Sequence, residues 1–196
     1  MTKNKILLVS AATELFLVLI WVAWIWYREK PFIGLPSRVD LKIGLLFSIP
    51  LFVVNFIFFG IRTKQIPVLD QFIKFRDRVV YPLAKMMDIP TALIVSILAG
   101  FGEELFFRGV LLTETGIIIS SLLFSVLHFG FQVKTFPLVA LLYFLIGCYF
   151  AWLCQYTGSL WPAIIAHAFY DFVIIMHLKR ILVLSDKFSE NNSSPG

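Results

Sequence analysis

Residues Gly100 to Leu111 read GFGEELFFRGVL. Two adjacent glutamates and an arginine stand here inside an apolar run, Pro90 to Leu112, that is long enough to cross a bilayer as a helix. Ionisable side chains at that depth are costly, face the interior of a bundle rather than lipid, and mark functional sites by default. The stretch therefore points to a membrane bundle whose chemistry lies inside it.

The rest of the chain agrees. Of its 196 residues, 59% are hydrophobic and 15% are charged, and the charges cluster between long apolar runs. Soluble domains carry about 45–50% apolar residues. The fold class expected is all-α, a polytopic membrane helical bundle with about six transmembrane helices and one amphipathic surface helix. Spans are expected near 6–27, 41–61, 90–112, 117–131, 136–157 and 159–180. Ile6 to Tyr27 is too long for a signal-peptide core and is followed by no small-residue cleavage site, so it reads as a retained span. Residues 65–88 alternate apolar positions with Lys74, Arg76, Arg78 and Lys85, the pattern of a broken helix lying on a membrane surface; a plain polar connector is the alternative. Residues 1–183 form one integral-membrane domain with a motif-bearing core at 90–180, and 184–196 read as a disordered tail.

The net charge of +5 is not read as a nucleic-acid footprint. With six spans, twelve basic residues fall on the side of both termini and four (Arg28, Lys30, Arg38 and Lys42) on the other. Positive-inside then puts both termini in the cytoplasm, and the compactness of the chain reads as that of a protein of a prokaryotic plasma membrane. Cys148 and Cys154 lie on different faces of one predicted helix and suggest neither a disulfide nor a metal knuckle.

Polar residues inside the spans are few. Glu104 and Arg108 stand at i and i+4, share a helix face and can neutralise each other. Glu103 points about 100 degrees away and has Phe107 at i+4, so it remains available. His128 follows in FSVLHFG. His167 and Asp171, in HAFYD, again share a face, and a merely local hydrogen bond between them is the plain reading.

Depth argues for more. Counted inward from the side of the ETG turn at about 1.5 Å per residue, Glu103 lies roughly 14 Å deep, His128 roughly 17 Å, and His167 and Asp171 roughly 12 and 18 Å. Three helices of alternating direction thus bring their polar residues to one level. Such a site suits hydrolysis: Glu103 as general base on a water held by His128, with His167 and Asp171 facing the developing oxyanion. The same groups can instead bind Zn²⁺ or another divalent metal, with Glu103, His128 and His167 as ligands and an open position for water. Spacing leaves both open. Ser121, Ser125 and Ser159 lack an adjacent base, so no serine nucleophile is evident.

As a set, these residues resemble the CPBP family of intramembrane proteases, which includes CAAX prenyl-proteases and bacteriocin-processing or immunity proteins. Its motifs are EExxxR, FxxxH and HxxxN or HxxxD. Here they read Glu103, Glu104 and Arg108; Phe124 and His128; His167 and Asp171. The resemblance implies an endopeptidase in which Glu103 and His128 activate water, His167 and Asp171 stabilise the oxyanion, and Glu104, Arg108 and Phe124 support them. It leaves a glutamate mechanism and a metal mechanism in competition. Asp171 stands where the prenyl-protease branch usually has asparagine, which weakens the case for a CAAX substrate specifically. The partner implied is a membrane-embedded or lipid-modified protein in the bilayer.

Two other classes compete. One is a non-catalytic immunity or peptide-binding protein, against which the complete motifs argue. The other is a small transporter or proton relay, to which Glu14 in the first span would belong. Glu14 otherwise reads as an acid near the membrane surface at a helix start.

Overall fold

The computed structural model describes residues 2–60, 70–129 and 134–193, with the backbone alone described at 59–60 and 182–193. Among these the chain is 88% helical and holds no strand. Its helices are α1 (Lys3–Tyr27), α2 (Arg38–Phe58), α3 (residues 70–86), α4 (residues 89–115), α5 (residues 117–129), α6 (Pro137–Thr157) and α7 (Trp161–Ser193). Among the described residues, five stretches are long and apolar enough to cross a membrane, and one of them, Ile89–Phe129, contains both α4 and α5.

That 41-residue stretch would reach about 60 Å if straight, twice the hydrocarbon thickness. It folds back instead. Gly116 adopts φ 78° and ψ 178°, a region essentially confined to glycine, and breaks the helix within the ETG turn. The ring of Phe107 consequently lies 5.1 Å from that of Phe124. The five stretches thus make six apolar helices, at the positions that hydropathy predicts.

Local chemistry sets the helix ends. Asp88 caps α4, its carboxylate accepting from the Thr91 amide at 3.0 Å, and Pro90 follows at a position that needs no amide proton. Ser37 and Asp40 form a capping box at α2. At the far end of α1, Trp24 Nε1 donates to Glu114 and Arg28 pairs with the same carboxylate, tying α1 to the α4–α5 turn.

The predicted surface helix is helical over 70–86; residues 65–69 lie outside the described residues. Its apolar side buries Phe72, Phe75 and Ala84 within the protein, where Phe75 meets the rings of Phe129 and Phe136, while Lys74, Arg78 and Lys85 remain exposed. The backbone of α7 stays helical through Ser193, past residue 183, where the sequence places the end of the domain.

Membrane helices associate through small residues that let backbones approach. The two glycines of GFGEE do this in different directions. A methyl group at Gly100 would stand 2.7 Å from the Ala168 amide nitrogen of α7; one at Gly102 would stand 2.6 Å from Glu14 Oε2 of α1. The glutamates that follow are thereby clamped between α1 and α7.

Candidate active site

Arg108 and Glu104 form its rigid side. Both are buried, at 2% and 0% exposure. The guanidinium donates to Glu104 Oε1 at 2.9 Å and to the Gly147 carbonyl at 3.2 Å, and lies 4.5 Å from the ring centre of Phe124 and 5.2 Å from that of Phe150. Desolvating two charges is expensive, and this pairing together with the aromatic faces offsets that cost. The Glu104–Arg108 pair is thus the one that i,i+4 spacing predicts. Directly after Glu104 the helix widens into a π-helical stretch, Leu105–Leu111, a deviation that often accompanies functional sites.

Glu104 does more than its spacing suggests. His167 Nδ1 lies 2.8 Å from Glu104 Oε1, and its Nε2 lies 3.5 Å from Asp171 Oδ2. The imidazole stacks on Phe150 at 5.2 Å. A relay of Arg108, Glu104, His167 and Asp171 therefore crosses from α4 to α7. The sequence reading turns His167, with Asp171, toward the developing oxyanion; in the structure its Nδ1 is taken up by Glu104.

Glu103 turns the other way and meets His128, with Nε2 3.3 Å from Oε2. The second nitrogen of His128 is committed: Nδ1 donates to the Phe124 carbonyl at 2.8 Å, since a carbonyl oxygen only accepts. The nitrogen aimed at Glu103 therefore either carries a proton toward a carboxylate or presents a lone pair to a donor. Phe124, predicted as supporting, lies under Arg108 and 4.3 Å from His128.

His128 and Asp171 open onto a cavity of about 320 Å³, otherwise mostly apolar, whose wall includes Tyr143, Ile146 and Tyr170 and whose roof is α3. His167 does not line it and reaches it through Asp171. Asn55 Nδ2 donates to the Tyr170 hydroxyl at 3.1 Å and fixes that wall.

Zinc would need several side-chain lone pairs aimed at one point. His167 turns its Nδ1 proton toward Glu104. Among the described residues, no three His, Cys, Asp or Glu side chains gather to hold an ion. Glu103, His128 and His167 do not fit as a ligand set.

One acidic residue stands elsewhere than expected. Glu14 is not at a membrane surface: it is 6% exposed, midway along α1, packed on Gly102 beside Glu103. Counting its depth along the first span, as for the other motif residues, would have placed it at their level. Asn55, Tyr143 and Tyr170 also escaped notice, because aromatic and amide side chains in apolar helices carry no spacing signal.

Residues 85–173, which hold all three motifs, match the family described as type II CAAX prenyl endopeptidase Rce1-like. The chain is also 35% identical over 108 residues to the uncharacterized protein YpbD of Bacillus subtilis, covering 54% of this chain and 55% of that protein. It thus spans about half the length of the curated relative it matches. No solved structure matches. Over residues 85–173, less than half of its length, the chain is thus similar to the Rce1-like family of type II CAAX prenyl endopeptidases.

Proposed function

We propose that the protein is a membrane-embedded endopeptidase of glutamate type that hydrolyses a peptide bond in a membrane-anchored or lipid-modified protein. The observation that carries this reading is the Glu103–His128 pair, 3.3 Å apart, with His128 opening onto an apolar cavity. Peptide entering the cavity brings its carbonyl near a water held by both side chains. Glu103 takes the water proton as the oxygen attacks the carbonyl carbon, and the His128 Nε2 proton orients the attacking oxygen. When the carbon–nitrogen bond breaks, the proton held by Glu103 passes to the leaving amine. On the opposite side Asp171, backed by the His167 ring, offers a proton to the developing oxyanion. Arg108 and Glu104 keep His167 in its tautomer and orientation.

The basic residues support a cytoplasmic location for both termini, and the compact chain supports a prokaryotic plasma membrane. The decisive experiment offers proteoliposomes a set of membrane-anchored peptides and reads products by mass spectrometry. Wild type is expected to cleave and Glu103→Gln to lose cleavage. Equal cleavage by both would overturn the assignment.

A further inference from the structure

Glu14 has no place in the mechanism above, yet its surroundings are those of a site residue. It is a carboxyl at 6% exposure in the middle of a membrane helix. Among the described residues its Oε2 has no hydrogen-bond partner and no cation pairs with it. The facing position on α4 is glycine, and any side chain there would collide with the carboxyl. The titratable groups acting on it are Glu103 from α4, His128 from α5, and His167 and Asp171 from α7.

A proton inventory gives its state. Arg108 balances Glu104 and His128 faces Glu103, while His167, with its Nδ1 proton toward Glu104, turns its Nε2 lone pair toward the Asp171 proton. Every group of the cluster able to carry positive charge is thereby committed, and none is left for a further anion. An ionised carboxylate in dry surroundings without a partner is too costly to persist.

We infer that Glu14 is a third acid of the centre, held un-ionised beside Glu103, and that it is a positioning residue: its neutrality leaves Glu103 as the carboxylate that engages the His128 proton. This rests on the catalytic reading of Glu103 and His128, but its first test does not depend on activity. Infrared spectroscopy of the protein in liposomes at neutral pH reads the C=O stretch of protonated carboxyls directly. Asp171, protonated in the proposed mechanism, gives a band of its own, so wild type should display a further component, which Glu14→Gln should lose and Glu14→Asp should shift. Absence of any component that Glu14→Gln removes overturns the inference. Where cleavage is measurable, the alkaline fall of the rate should move to higher pH in Glu14→Gln and return in Glu14→Asp. An alkaline limb indifferent to both variants would reduce Glu14 to packing. If wild type cleaves nothing, the protease reading falls while the infrared result still decides the state of Glu14.

Discussion

Glu104 and His167, on helices α4 and α7, are joined at 2.8 Å, and the same carboxylate oxygen binds Arg108 at 2.9 Å. One buried oxygen thus ties a guanidinium to an imidazole that lies behind the cavity wall. Removing that carboxylate would leave Arg108 charged and without its anion. Glu104→Gln should cost about 3–5 kcal/mol of stability, whereas replacing Glu104 and Arg108 together with Leu and Met should cost less. Thermal unfolding in detergent checks both, and equal loss in the single and double variants would contradict the arrangement.

Glu103→Gln is expected to behave oppositely. With Glu103 acting as general base, kcat falls by about 10²–10⁴-fold. The melting temperature should change little, because His128, which loses its anion, can shed its proton as Arg108 cannot. A large fall in melting temperature would show Glu103 to be structural.

The contrast between the two glutamates was half legible in the sequence. Spacing along one helix gives Glu104 to Arg108 and frees Glu103, and depth counting brings His128, His167 and Asp171 to the same level. Which imidazole meets which carboxylate is not a matter of spacing. It depends on how closely α4 approaches its neighbours, and that is set by Gly100 against α7 and Gly102 against α1. The six helices were legible from hydropathy alone. The burial of α3 was not, because an amphipathic pattern looks alike whether its apolar side meets lipid or protein.

Gly100→Ala should therefore disturb the relay without touching its members. The added methyl meets backbone atoms of α7, the Ala168 amide at 2.7 Å and the Ile164 carbonyl at 2.9 Å, which cannot rotate away. Overpacking of this kind costs about 1–3 kcal/mol. Unfolding measurements test the energy, and cleavage should fall in parallel as His167 shifts from Glu104.

Gly116→Ala places a side chain on backbone that strongly favours glycine. A loss of about 1–3 kcal/mol is expected. Unaltered stability would mean that the turn can adopt another conformation.

At the start of α4, Asp88 links the termini of two helices through Lys3 at 2.8 Å and Thr91. The Lys3 ammonium, followed by the Thr91 hydroxyl and amide, holds the Asp88 carboxyl well below the usual carboxylate range. A depressed folded value means stability that is complete above the unfolded value, about pH 4, and is lost as pH falls further toward the folded one. Melting temperature followed between neutral and acid pH should fall less steeply in Asp88→Asn than in wild type. Parallel curves would remove Asp88 from the acid response.

The break at Gly116 also has a consequence for how the protein comes into being. Glu103 and His128 lie 25 positions apart on one uninterrupted stretch, so closing a single short hairpin brings them together. Loop-closure entropy for such a span is small compared with that of joining distant segments. His167 and Asp171 arrive only with the last helix, and Glu14 comes from the first. On the proposed mechanism, a nascent chain halted after α5 already holds Glu103 and His128 yet lacks Asp171. The cavity closes only once α7 has been made, so the order of synthesis leaves completion of the site to a late step.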